Sequence, residues 1–211
     1  VAALWLWAKA GLDAAHEWRL VLVLVRAEAD HVLNLANVNA RLERWEGRTN
    51  YMYLDTAGVV TVGVGHALFT PASAYALPWD DHADVVSGFI TVMTAKKPMP
   101  AAWYRHFTAA RLPEDYIDAM RDLDVQLKLT QITRALPEWK AWPNDVREGI
   151  IDIAYNCGVG GLLKFPKMLA ACRAGDWDTA ANESHRPQVS VARNDDVAAL
   201  FMRAAAPVLK A

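Results

Sequence analysis

Ala, Leu, Glu, Arg and Trp dominate residues 1–46, and no proline interrupts them. This pattern predicts helix, with a break at Gly11-Leu12-Asp13. The apolar run Leu20–Val25 has the composition of a buried strand, but its flanks, Ala14 to Glu17 and Arg26 to Ala29, are helix formers. We therefore read it as helix. After Glu46-Gly47 the texture changes. Residues 51–66 carry Tyr, Val and Thr with glycines between them, and Asp55-Thr56-Ala57-Gly58 reads as the turn of a hairpin. Residues 69–113 hold five prolines and predict an irregular segment with short helices near 83–93 and 101–109.

Helical spacing then returns. Leu112-Pro113-Glu114-Asp115 starts a helix that extends to about Leu136, with Ile117, Met120, Leu123, Leu127 and Ile132 as its apolar positions. Asn144 reads as the N-cap of a helix over Val146–Cys157 that stops at Gly158. Shorter helices are expected over 162–174, 177–183 and 191–205. The resulting fold class is α+β and mostly helical: a small β-hairpin lobe and a larger helical lobe, with a cleft expected between them.

Composition narrows the functional classes. A chain of 211 residues is one domain, or one with an appendage. The 54% apolar content and nine tryptophans exclude disorder. A formal charge of −2 leaves no basic field to hold nucleic acid. Six apolar residues, Leu20–Val25, are far short of the roughly 20 that a membrane span needs. Two cysteines, Cys157 and Cys172, are too few for a disulfide scaffold; we read them as buried free thiols, with a bridge as the alternative. Gly63-Val64-Gly65 lacks the third glycine of a nucleotide loop, and His82-Ala83-Asp84 lacks the further ligands of a zinc site, so no cofactor and no metal are expected. The chain starts at Val1 rather than Met, from which we expect a piece of a longer protein.

One group of residues has the composition of a catalytic site: Glu46, Asp55, Thr61 and His66. Glycoside hydrolysis needs one carboxyl group that keeps its proton for the leaving oxygen and one that stays ionised to act on water or sugar. A glutamate at a helix end against an apolar wall suits the first role, because desolvation disfavours its charged form. An aspartate in a polar turn suits the second. Spacing alone is better explained by a surface glutamate at a helix end and an ordinary turn aspartate.

The residue string goes further. Arg44-Trp45-Glu46-Gly47, Tyr53-Leu54-Asp55-Thr56-Ala57-Gly58 and Val60-Thr61-Val62-Gly63-Val64-Gly65-His66 closely resemble the active-site region of phage-type lysozymes, the T4-lysozyme-like muramidases. The pattern is Glu-Gly, then Tyr-x-Asp-Thr-x-Gly, then Thr-hydrophobic-Gly-x-Gly-His, without a gap. Val146 to Gly160 resembles the family's central helix and the turn after it, and Ala174 to Ala181 its small helix with Asp-Trp. Arg193-Asn194-Asp195 resembles the arginine-rich stretch at the cleft. The resemblance covers roughly residues 41–205 and is weakest over 69–111 and 184–192.

The resemblance implies a lysozyme-like fold and a muramidase that cleaves the β-1,4 bond between N-acetylmuramic acid and N-acetylglucosamine in peptidoglycan. It assigns Glu46 as general acid, Asp55 as the second carboxylate assisting water, and Thr61 as the group positioning that water. Inversion at the anomeric carbon follows, with carboxyl groups roughly 6.5–9.5 Å apart. His66 would pair with Asp124, or failing that Asp122, as a structural contact. Asn156 would bond a sugar amide or cap its helix, and Arg193 would meet a peptide stem or lactyl carboxylate or else lie in solvent. Trp103 and Tyr104 would stack on sugar or pack in the core.

The chain also departs from the family. Residues 1–40 are an extra N-terminal helical segment before a catalytic domain at 41–211, and 69–111 is a longer connection expected to reshape the cleft edge. The near-zero charge contrasts with the basic character common among free phage lysozymes. It suggests a domain of a bacterial effector or a virion enzyme, delivered or secreted to the periplasm or cell wall by other domains of a parent chain, with an immunity protein as a further partner. Two rival readings are a catalytically silent peptidoglycan-binding module and a lytic transglycosylase, which needs no second carboxylate.

Overall fold

The computed structural model describes residues 33–95 and 99–205. The helical segment expected before residue 33, including the Leu20–Val25 run, lies outside the described residues. From Asn34 onward the chain forms one compact unit. It begins with α1, Leu35–Glu46, whose first turn is capped by Asn34: its Oδ1 accepts from the Ala36 and Asn37 amides at 3.1 and 3.3 Å. The helix stops at Gly47, where a φ of 75° is open only to glycine at low cost.

Three antiparallel strands follow: β1 (Thr49–Leu54), β2 (Val60–Gly63) and β3 (His66–Leu68), in the order β1-β2-β3. Sequence reading predicted the hairpin but not the third strand, which is only three residues long and half-buried at two of them. Register pairs Tyr53 with Thr61 and Leu54 with Val60, and then Thr61 with Ala67 and Val62 with His66. In β1, Met52 and Leu54 point into the core and Tyr51 and Tyr53 are half-buried, the alternation a strand imposes.

Residues 69–95 and 99–111 hold more regular structure than the prolines suggest. They contain α2 (Pro71–Tyr75), α3 (Val85–Met93) and a 3₁₀ turn over Ala101–His106, and both α3 and the 3₁₀ turn pack on β1. Thr70 and Ser73 form a reciprocal capping box on α2. Asp84 ties α3 to the chain beyond it: the Thr108 hydroxyl donates to Oδ1 at 2.6 Å and the Ala109 amide to Oδ2 at 2.9 Å, and these bonds hold its carboxyl below the usual aspartate range. Tyr104 is fully buried, whereas Trp103 is half-exposed and makes edge contacts with Tyr104 and Phe107.

The helical body comprises α4 (Glu114–Ala135), a 3₁₀ turn at Pro137–Ala141, α5 (Asn144–Leu162), α6 (Pro166–Ala174), α7 (Trp177–Glu183) and α8 (Val191–Ala205). Every residue of α5 from Val146 to Ala154 is buried. A helix enclosed on all sides is the centre of a core rather than an amphipathic cover. At Gly158 (φ 72°, ψ 164°) it kinks, where sequence reading ended it, and a further short helical stretch follows. Asn144 is the first helical residue and not the cap; that position belongs to Pro143, and the Asn144 side chain accepts from Arg147 instead.

On α4 the buried positions are Ile117, Met120, Val125 and Ile132, while Leu123 and Leu127 are half-exposed, contrary to the expected stripe. The reason is that different partners cover the two ends. Ile117 and Met120 face the Gly63 turn of the sheet, where an added Cβ would lie 2.5 Å from the Met120 methyl, and the far end packs on the helical body.

Both cysteines are free thiols, Cys172 buried and Cys157 half-buried. Burial pushes the Cys172 thiol up to about 12 and raises Cys157 as well. In the unfolded chain both would ionise near about 8.5. A proton held more tightly in the fold contributes stability that is complete below that value and is lost as pH rises towards 12. A colorimetric thiol reagent at pH 8 is therefore expected to react slowly with the native protein and fully once it is unfolded.

Candidate active site

Glu46 is the last residue of α1, and three elements meet around its carboxyl group. From the sheet, Gly65 in the β2–β3 turn (φ 73°) packs against it so closely that an added Cβ would lie 3.3–3.4 Å from Glu46 Cγ, Cβ and Oε2. From α8, Arg193 Nη2 lies 2.8 Å from Glu46 Oε1. That contact is an ion pair without hydrogen-bond alignment, and Oε1 is buried with no aligned donor. The wall facing Glu46 is thus a guanidinium and not the apolar surface expected from sequence. Gly65→Ala would force a side chain into the left-handed region and against Glu46. We expect a stability loss of about 1–2 kcal/mol by thermal melting. An unchanged melting temperature would show that the Gly65 contact does not set the position of Glu46.

Asp55 opens the β1–β2 turn. Its Oδ1 accepts from the Ala57 and Val59 amides at 2.9 and 2.7 Å, and its own amide donates to the Val59 carbonyl at 2.9 Å. This Asx-type bonding fixes the carboxylate at the tip of the hairpin. Thr61 is 2% exposed, stands opposite Tyr53 in the sheet, and its hydroxyl donates to the Val59 carbonyl at 3.1 Å. The Tyr53 phenol feels the charge of both carboxyl groups: burial first, then Glu46 and Asp55, raise it above the ordinary tyrosine value.

His66 Nδ1 lies 2.8 Å from Asp124 Oδ2, joining β3 to α4. Asp122, the other candidate, accepts from Asn39 at 2.8 Å and from Arg121, and so ties α4 to α1. Tyr155 on α5 donates to the Val64 carbonyl at 2.7 Å, which anchors the turn that carries Gly65.

Arg193 is 5% exposed, so it is neither a solvated arginine nor a side chain standing free in a cleft. Its Nε and Nη2 donate to Asp152 Oδ1 and Oδ2 at 3.1 and 3.2 Å. Asp152 Oδ1 also accepts from Arg186 Nη2 at 3.0 Å. Asn156 is exposed, and its Oδ1 accepts from Arg186 Nη1 at 3.4 Å. Sequence reading assigned no role of their own to Asp152, Arg186, Tyr53 and Tyr155. Asp152 had a readable signal, a charged residue set between Ile150-Ile151 and Ile153-Ala154 in an otherwise apolar run. Arg186 had none.

Among the described residues, no group of three or more His, Cys, Asp and Glu is placed to hold a metal ion. His82 Nε2 is 3.0 Å from the Leu77 carbonyl. None of the described helices is long and apolar enough to cross a membrane.

A three-stranded antiparallel sheet on a helical body, with a glutamate at a helix end beside the hairpin that carries an aspartate, defines a protein of the lysozyme-like α+β class. The chain belongs to the phage lysozyme family, whose model matches residues 43–206. It is also similar to the pre-baseplate central spike protein Gp5 of Enterobacteria phage T4, at 28% identity over 141 residues. That match covers 66% of this chain and 22% of the spike protein, so the chain corresponds to about a fifth of that relative's length.

Proposed function

We propose that this chain is a muramidase that hydrolyses the β-1,4 bond between N-acetylmuramic acid and N-acetylglucosamine in peptidoglycan glycan strands. Membership of the phage lysozyme family supports peptidoglycan hydrolysis. The observation that carries the residue-level reading is the seating of the Glu46 carboxyl between the Gly65 turn and Arg193, beside the Asp55 hairpin. Glu46 gives its proton to the glycosidic oxygen as the bond breaks. Asp55 assists the water that attacks the anomeric carbon from the opposite face, and the reaction inverts. The Thr61 hydroxyl donates to a carbonyl, so its oxygen retains lone pairs to accept from that water. His66 and Asp124 brace the sheet against α4, Asn156 borders the sugar site, and the buried Arg193 acts through Glu46 rather than on the sugar.

The similarity to a spike protein of which the match covers only 22% supports a parent chain with other domains that deliver this one to the periplasm or cell wall. Two forms of that reading are a phage tail or virion enzyme and a bacterial effector with an immunity partner.

A second reading has its own observation. Asp55 Oδ1 is engaged by two backbone amides, which suits a turn-forming aspartate as well as a catalytic one. A lytic transglycosylase would then use Glu46 alone. Mass spectrometry of released muropeptides separates the two: hydrolysis leaves reducing ends, and transglycosylation leaves anhydro-muramic ends. Binding without release of either would indicate a silent module.

A further inference from the structure

Four charged side chains form an alternating line from the cleft into the core: Glu46, Arg193, Asp152 and Arg186. The carboxylate of Asp152 and the guanidinium of Arg186 are completely excluded from solvent, and the Arg193 side chain is 6% exposed. Such a line is costly to bury, so its geometry has consequences. One nitrogen lies at its centre. Arg193 Nη2 is 2.8 Å from Glu46 Oε1 and 3.2 Å from Asp152 Oδ2, so two carboxylates share it. Asp152 holds Arg193 through a second bond to Nε and is itself drawn the other way by Arg186.

We propose that Asp152 is a positioning residue that divides the Arg193 guanidinium between itself and Glu46, so that Arg193 orients the Glu46 carboxyl without fully stabilising its anion. This rests on the reading of Glu46 as general acid. A bare arginine at 2.8 Å would favour the carboxylate and strip the acid of the proton it must deliver. A buried carboxylate on the far side of the same guanidinium draws off part of its field. Arg186 limits how much is drawn off, because Asp152 divides its own charge between two arginines.

The other groups facing Glu46 do not duplicate this control. Tyr53 from β1 and Tyr155 from α5 both feel the Glu46 charge, and burial keeps both phenols protonated well above neutral pH. Asp55 lies across Tyr53 at the hairpin tip, and Gly65 presents only backbone.

The line predicts shifts of opposite sign from its two inner members. Asp152→Asn keeps the Oδ1 acceptor for Arg186 and Arg193 Nε, but removes the charge and the acceptor at Nη2. Arg193 then turns wholly onto Glu46, and the alkaline limb of the pH–activity profile should move to lower pH by about half to one unit, a roughly three- to tenfold loss of activity on that limb. Arg186→Gln leaves Asp152 to Arg193 alone, and the same limb should move to higher pH. A role confined to fold stability would lower activity in both variants without moving the limb in either direction.

The experiment is a pH titration of wild type and both variants, each first checked for cooperative thermal unfolding. Activity on purified peptidoglycan is read alongside the ¹³C shift of the Glu46 carboxyl. Opposite displacements of the Glu46 titration in the two variants support the proposal. An unmoved Glu46 titration, or displacement of both in one direction, overturns it. If Asn at 152 prevents folding, the upward displacement in Arg186→Gln decides alone. Should the Glu46 titration move while the activity limb does not, the division of Arg193 stands and the general-acid reading of Glu46 falls.

Discussion

Glu46→Gln is expected to abolish clearing of purified peptidoglycan and release of reducing ends, with a loss of at least about a hundredfold, the usual contribution of a positioned general acid. The substitution nearly preserves shape. The amide oxygen can stay against Arg193 Nη2, and Gly65 leaves the same space on the other side. Removing a charge that already competes for a shared arginine should cost little stability, and melting is expected within a few degrees of wild type. That combination, an intact fold with no turnover, separates a chemical role from a structural one. Equal turnover in wild type and variant would remove Glu46 from the mechanism and, with it, the muramidase reading.

Phe201→Ala carries the largest expected effect on stability. Phe201 is fully buried on α8 and lies over Gly149 of α5, where an added Cβ would come within 3.1–3.3 Å of its ring. The ring therefore occupies a site that Gly149 leaves open at the centre of the helical body. Truncating a buried phenylalanine costs about 3–5 kcal/mol through lost transfer energy and the cavity left behind. For a domain of this size each kcal/mol lowers the melting temperature by roughly 2–4 °C, so a fall of about 10 °C is expected. The consequence reaches the site, because α8 also carries Arg193. Activity per folded molecule should fall as the Arg193–Glu46 contact loosens. A melting temperature within two or three degrees of wild type would mean that the α5–α8 contact is not a main support of the body.

The elements most legible in the sequence are those with strong local signals. The Asp55 to Gly58 turn between two apolar runs is the hairpin observed, and the helices at 177–183 and 191–205 have the expected bounds. Asp176 and Gly175 explain this clarity. Asp176 Oδ1 caps α7 by accepting from the Thr179 amide at 3.0 Å, and Gly175 ends α6 in the left-handed region. Signals of this kind act within four residues, so tertiary packing has little to override. Strand β3 and the exposure of Leu123 and Leu127 were not legible, because they depend on which surface comes to lie against them.

The same division holds at the site. Glu46, Asp55, Thr61 and His66 were readable as a set through the resemblance of the surrounding residue string to phage-type lysozymes, and the fold places them on a helix end, a turn and adjacent strands. Arg193 was visible as a residue but not as a buried one, for nothing near position 193 signals that its guanidinium runs inward to Asp152. Asp152 and Arg186 are 34 residues apart, and only their bond across the core reveals them as partners.

The sequence by itself therefore determined the class of fold and the hairpin, because both are written in short-range backbone preference and residue type. Tertiary structure alone decided what faces Glu46. The packing of α8 on α5 brings a buried arginine to the end of α1, and the field at a carboxyl group depends on charges a few ångströms away in space, however distant they are along the chain.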